Sequence, residues 1–253
     1  MRNQPIILMY HGIKGNDSAL PDGREEGAQL YDVSLENFKA QMRFLKSNRF
    51  AVTLLKDILT KHTVVLTFDD GEMNNYTHAL PVLQSLDFPA YFFVIAKRVG
   101  HGGYMGWKEL RQLHDAGMAI GSHGLSHEIL TNLKDTQIEE ELQASKKYIE
   151  RNLEITVNSL SIPRGFCNDK IIQMARAAGY TDIFISDRPQ SLTMPCLDRI
   201  AVKGSWSMKR FEQALSGMVP VDEKIFTLCK NGIKRLGGET LYDWVRTVLL
   251  KIK

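Results

Sequence analysis

Short apolar runs alternate with segments of helical period along most of this chain, and that alternation is what most limits its fold. The runs at 6–10, 64–68, 90–96, 118–121, 157–162 and 180–186 are strand-length and rich in branched and aromatic residues. Between them, Leu35, Phe38, Met42 and Leu45 recur at helical spacing behind Ser34, predicting a capped helix over 34–47. Helices are also predicted over 76–86, over 107–116 ending at Gly117, and over 168–178 ending at Gly179. Thr136 and Glu139 read as a capping box for a helix whose apolar face is Ile138, Leu142 and Ile149. Strands apolar throughout, each followed by a helix, are covered on both faces and pair in parallel. The prediction is therefore an α/β protein, either a barrel or a doubly wound sheet. A strand near Ile200 and three helical stretches complete the chain. No repeat, low-complexity tract or change of composition marks a boundary, so residues 1–253 read as a single domain with a C-terminal helical extension at about 207–253. The segment 12–29, rich in Gly, Asp, Glu and Pro, reads as a long loop at a strand end, where α/β proteins place function.

Two local patterns carry chemistry. Thr67-Phe68-Asp69-Asp70-Gly71 puts adjacent carboxylates at the end of an apolar strand, a costly arrangement unless a cation or metal offsets them. Side chains of successive strand residues point to opposite faces, but a turn at Gly71 releases that constraint. Ser122-His123-Gly124-Leu125-Ser126-His127 puts two imidazoles four residues apart, also just after a short strand, a spacing at which both can reach one metal. One aspartate with two histidines is a ligand set of the kind used by hydrolytic zinc, and it leaves the second aspartate free to act as a base. Spacing alone does not say which aspartate does which.

The TFDDG and SHxxSHxxL elements, the MYHG opening, the LENFKAQMRFL helix and the order of the strands, together spanning about residues 5–205, resemble the NodB-homology polysaccharide deacetylases, carbohydrate esterase family 4. The resemblance implies a deformed (β/α)7-type barrel and removal of N-acetyl groups from amino sugars in glycans. It implies Asp69 as general base and Asp70, His123 and His127 as metal ligands. The family's third motif, Arg-x-Pro-aromatic-Gly, is met by Ser161-Ile162-Pro163-Arg164-Gly165-Phe166. Pro163 and Gly165 match, but Ser161 stands where the family has the Arg that pairs with the base, and Arg164 is a candidate to supply that charge from another direction. The backbone N–H of Arg164 is the expected oxyanion donor by position. No histidine follows residue 127, so the family's late acid motif is missing. A subgroup resembling the biofilm poly-N-acetylglucosamine deacetylases places that histidine near the N-terminus, which implies His11 as general acid. Gly124 replaces the usual Ser or Thr of the second motif and is expected to loosen the loop between the two histidines.

Trp107 and Trp206 are aromatic candidates for a sugar platform, with Trp206, in the loop-like Gly204-Ser205-Trp206-Ser207, the better placed. The cofactor expected is a divalent metal, zinc first, with cobalt, nickel or iron accepted by the same ligands. The substrate expected is an amino-sugar glycan or glycan precursor. Other readings are a deformylase or other amide hydrolase using the same residues, and a metal- or glycan-binding relative that has lost catalysis. With 32 basic and 29 acidic residues and no basic run, nucleic acid is not an expected partner. Three cysteines, Cys167, Cys196 and Cys229, show no CxxC spacing and predict neither a disulfide framework nor a thiolate metal site. The N-terminal apolar run is too short for a signal peptide, predicting a cytoplasmic protein. The amphipathic, basic stretch 241–253 reads as a helix packed on the barrel or resting on a membrane surface.

Overall fold

The computed structural model of the protein describes residues 5–15, 21, 24–25, 27–55, 62–186, 188–189 and 191–217. In chain order, β1 (Ile6–Tyr10) leads to the short β2 (Ile13–Lys14), which pairs with β3 (Val33–Ser34). Then come α1 (Leu35–Ser47), β4 (Ala51–Val52), β5 (Thr63–Phe68), α2 (Leu80–Ser85), β6 (Tyr91–Val94) and α3 (Trp107–Asp115). They are followed by β7 (Ala119–Ser122), α4 (Asp135–Leu153), β8 (Ser159–Ser161), α5 (Asp169–Ala177) and β9 (Asp182–Ile185). The last pieces are β10 (Leu197–Asp198), β11 (Ile200–Ala201) and α6 (Met208–Leu215).

Every pairing between the strands named above is parallel, and the order β10-β9-β8-β7-β6-β5-β1-β11 follows the chain except that β1 lies between β5 and β11. The two outermost pieces are one residue apart. β10 pairs with β9 through Leu197 and Phe184, and β11 pairs with β1 through Ile200 and Leu8. The segment 197–201 therefore spans the two edges of the sheet and brings it to a nearly closed barrel, with Arg199 at the junction. β4 lies on the β6 side of β5, where β6 itself first pairs only at Thr67.

The interior holds a small apolar cluster of Ile7, Val65, Tyr91, Phe93 and Phe184. The larger core lies between the strands and the helices, where Leu8, Tyr10, Leu66, Phe68 and Phe92 meet Phe38, Met42, Leu110, Leu142 and Ile172. This is the period-two division of a strand: Val65, Thr67 and Asp69 share one side, Leu66 and Phe68 the other. Burying each large apolar side chain contributes about 1.5–3 kcal/mol.

Local signals placed most helix ends. Ser34 Oγ accepts from Asn37 N at 3.2 Å, and Asn168 Oδ1 accepts from Ile171 N at 3.0 Å. Gly117 and Gly179 adopt positive φ after α3 and α5. Two expectations are corrected. The cap of α4 is made two residues earlier than Thr136 and Glu139, by Gln137 Oε1 accepting from Lys134 N at 3.0 Å. The helix expected over 76–86 opens as a π turn, Asn75–Ala79, in which Leu80 N reaches back to Asn75 O. The proline that follows has no N–H to donate, and the wide turn faces Asn75 inward.

Trp206 is also corrected. It is 6% exposed, packs in the main core, and carries the Arg210 guanidinium over its ring at 4.3 Å, so it presents no face to a sugar. Its carbonyl accepts from Asn37 Nδ2, which fixes the segment against α1. Trp107 is half-buried against Tyr148 of α4, with ring centroids 5.3 Å apart. Cys167 is buried and Cys196 half-buried. Of the C-terminal extension, only the part through residue 217 is described; the amphipathic stretch 241–253 and Cys229 lie outside the described residues. Among the described residues no helix is long and apolar enough to cross a membrane.

Candidate active site

The C-terminal ends of β1, β5, β7, β8 and the β10–β11 junction bring His11, Asp69, Asp70, His123, Ser161 and Arg199 to one end of the barrel. Asp69 continues the inward side of β5, and its N–H bonds Tyr10 O at 3.0 Å, which sets His11 and Asp69 on adjacent strand ends. Asp70 leaves the strand direction through a positive φ of 73°, and Gly71 follows at 78°. A Cβ on Gly71 would meet Val94 Cγ1 at 2.9 Å, so this turn is reserved for glycine by both dihedral and space.

Asp70, His123 and His127 offer ligand atoms within 4.8 Å of one another. His123 Nε2 and His127 Nε2 are 3.2 Å apart and lie 3.5 and 3.6 Å from Asp70 Oδ1. Asp70 Oδ1 is buried with no hydrogen-bond partner, a cost that native interiors avoid unless something is bound there. His123 Nδ1 lies 2.8 Å from the Ser161 carbonyl, which can only accept, so its proton sits on Nδ1 and Nε2 is left with a lone pair. Burial pulls His123 down to about 4 against the opposing pull of Asp69, so its imidazole is neutral at physiological pH, as a ligand must be. An orphaned carboxylate oxygen, a neutral imidazole and a second imidazole facing one point fit a divalent cation.

The loop joining the two histidines is pinned from α4. Glu141 Oε2 accepts from Leu125 N at 2.9 Å and Ser126 N at 3.0 Å, and Glu141 Oε1 accepts from Ser126 Oγ. Gly124, at φ 80°, does not loosen this loop as expected. Its conformation is one that a side chain rarely adopts, and an added Cβ would press on Glu141 at 3.2 Å and Pro163 at 3.4 Å. His127 itself has a φ of 71°, so two of the three prospective ligands sit in strained backbone.

Asp69 is 2% exposed and is gripped by Arg199, with Nη1 on Oδ1 and Nη2 on Oδ2, both at 2.7 Å. Arg199 Nη2 also donates to Ser161 Oγ at 2.7 Å, and Ser161 Oγ donates to Asp69 Oδ2 at 3.1 Å. Arg199 Nη1 reaches Thr67 Oγ1 at 3.2 Å, and the guanidinium lies over the rings of Phe93 and Phe184, 5.6 and 5.9 Å from their centroids. Burial alone would raise the Asp69 pKa; the Arg199 charge, with His123 and His11 adding to it, instead holds the carboxylate well below its usual range. The cation missing at Ser161 is thus supplied from Arg199. Arg164 does not take that part: its Nε lies 3.5 Å from Glu25 Oε2, and its φ of 55° follows the buried Pro163. Arg199 belongs to none of the sequence motifs that mark the site. The available signal was an arginine inside Leu197-Asp198-Arg199-Ile200, a strand-like run in which a buried cation requires an anion.

His11 lies against Tyr31, ring centroids 5.0 Å apart, and its carbonyl accepts from Asn75 Nδ2 at 2.7 Å. Its Nδ1 is buried without a hydrogen-bond partner among the described residues.

A barrel of parallel strands with this cluster at its C-terminal end defines a class, and comparison with known proteins names it. Residues 56–183 match the family profile described as polysaccharide deacetylase, and the chain belongs to that family. It is 28% identical over 226 residues to YxkH of Bacillus subtilis (strain 168), provisionally named a polysaccharide deacetylase, covering 84% of this chain and 76% of that one. It is 27% identical over 204 residues to the poly-β-1,6-N-acetyl-D-glucosamine N-deacetylase of Staphylococcus aureus (strain MSSA476), covering 70% of each. Among solved structures it resembles BC0361, a polysaccharide deacetylase from Bacillus cereus, with a TM-score of 0.71 and 26% identity, over 85% of this chain and 69% of that one. The barrel is accordingly the deformed, single-domain form of the NodB-like deacetylases.

Proposed function

We propose that this polysaccharide deacetylase family member is a metal-dependent hydrolase that removes N-acetyl groups from an amino-sugar unit of a glycan. The observation that carries the reading is the Asp70–His123–His127 cluster set beside an Arg199-paired Asp69. The name of the S. aureus relative supports the substrate class.

Asp70, His123 and His127 would hold the ion. When bound, a divalent metal supplies Lewis acidity toward water and the acyl carbonyl; the nitrogen and oxygen donors suit zinc and also accept cobalt, nickel or iron. Asp69 stays ionised at neutral pH because Arg199 neutralises it, and Arg199 with Ser161 fixes both carboxylate oxygens, so the base is held in one orientation to accept a proton from attacking water. The backbone N–H of Arg164 is the donor for the oxyanion that develops on the acetyl oxygen. His11, on the neighbouring strand end, is the group that protonates the sugar nitrogen as the C–N bond breaks, releasing acetate and a free amine.

Acetate release from an N-acetylglucosamine oligomer, measured before and after chelation and again after zinc is returned, tests the reading. Loss and recovery of acetate are expected. Release that survives complete removal of metal, or formate release from N-formyl substrate with none of acetate, would overturn it.

A further inference from the structure

The second histidine of the cluster differs from the first in what stands behind it. His123 Nδ1 is backed by a main-chain carbonyl of β8. His127 Nδ1 is backed by a side chain from the irregular segment far earlier in the chain: Glu25 Oε1 lies 2.6 Å away, and Nδ1 has no other partner among the described residues. The other oxygen of Glu25 faces Arg164 Nε at 3.5 Å. The neighbour in sequence, Arg24, is locked down from beneath. Its Nη2 and Nη1 meet Asp32 at 2.5 and 3.0 Å, and its Nε lies 2.7 Å from Glu72 Oε1. Both acids are buried, and Glu72 is held in turn by Asn74 Nδ2 at 2.7 Å. An anchor at residue 24, held by two buried acids, thus delivers a carboxylate at residue 25 to the outer nitrogen of a prospective ligand.

Resting on the metal-site reading above, we propose that Glu25 is a positioning residue for the metal centre: its carboxylate accepts the Nδ1 proton of His127, fixes the tautomer that leaves Nε2 unprotonated, and holds the ring toward Asp70 and His123. An imidazole with an unheld outer nitrogen can rotate or carry its proton on the wrong atom, and each alternative removes one ligand of three. Outer partners of this kind are worth about 10–100-fold in metal affinity. In this role Glu25 is not itself a ligand; it acts through His127.

The test is zinc affinity of the full chain, read by competition with a chromophoric chelator, for the native protein and for E25A, E25Q and E25D. Apo-protein thermal melts of all four establish that each is folded. E25A is expected to weaken zinc by about 10–100-fold. E25Q keeps the length and an acceptor oxygen and is expected to stay within about threefold of the native protein. E25D keeps the charge but is one methylene too short and is expected to resemble E25A. Zinc affinity of E25A within about twofold of the native value overturns the proposal, and so does a series in which E25D behaves as native and E25Q as E25A, because charge rather than the hydrogen bond would then act. If the native protein itself binds no zinc, the metal-site reading fails instead, which separates the two.

Discussion

Asp69 and Asp70 are neighbours in sequence with opposite fates, and the difference lies in one dihedral and one distant arginine. Asp69 keeps the strand direction, enters the barrel and meets Arg199; Asp70 takes a positive φ and turns toward the histidines. D69N is therefore expected to abolish acetate release while metal, counted by elemental analysis, stays at the native level; full activity in D69N would remove Asp69 from the role of base. H123A and H127A are expected to lose the metal itself in the same measurement. R199M strands a buried carboxylate, a change that costs about 3–5 kcal/mol when one partner of a buried pair is deleted. Urea titration should show that loss, and any folded fraction should be inactive. Both aspartates and both histidines were legible in the sequence because each pair is local. Arg199 was not, because its partner lies 130 residues away and only barrel closure brings them together.

At the scale of elements, the turn between the two histidines depends on α4, which supplies none of the prospective ligands. Glu141 satisfies two backbone N–H groups and one hydroxyl of that turn, and Ser122 Oγ takes the N–H of Gly124 at 3.1 Å. Hydrogen bonds to a charged group contribute about 1.5–3 kcal/mol. E141A should lower stability by about that much in urea and weaken zinc binding with it, whereas E140A, on an exposed neighbour in the same helix, should change neither. The helix itself was evident from its apolar face, but its first residue was misplaced. Lys134 and Gln137 make the cap although they are not the residue types that most favour one. The same scale explains why Gly124 misleads when read alone: in a strained turn held from outside, glycine relieves conformational cost rather than adding freedom.

For the whole molecule, the acid limb of stability is set partly by Asp32. Its burial works to raise its pKa, but the Arg24 hydrogen bond and charge, with Lys14 at 3.3 Å, bring it below the usual value. A carboxyl whose folded pKa lies below its unfolded one, about 3.9, contributes stability that is fully present above that pH and is lost as pH falls through the folded value. Thermal melts of the native protein should therefore drop below about pH 4. D32N should melt lower than the native protein at pH 6 and show a shallower drop in acid; equal slopes for the two proteins would exclude Asp32 from the acid transition.

What the chain determines by itself is whatever repeats or clusters locally: strands alternating with helices, hence parallel pairing, a carboxylate pair at a strand end, and two histidines one helical turn apart. Each follows from periodicity and steric rules acting over a few residues. What only the tertiary structure decides is which distant side chains meet: Arg199 with Asp69, Glu141 with the histidine turn, Glu25 with His127. It also decides that Trp206, loop-like in sequence, is buried in the core. These pairings are set by the bridge that 197–201 makes between β9 and β1 and by the packing of helices around it. A buried charge takes the partner that barrel geometry brings within reach, and that distance is written in no local pattern.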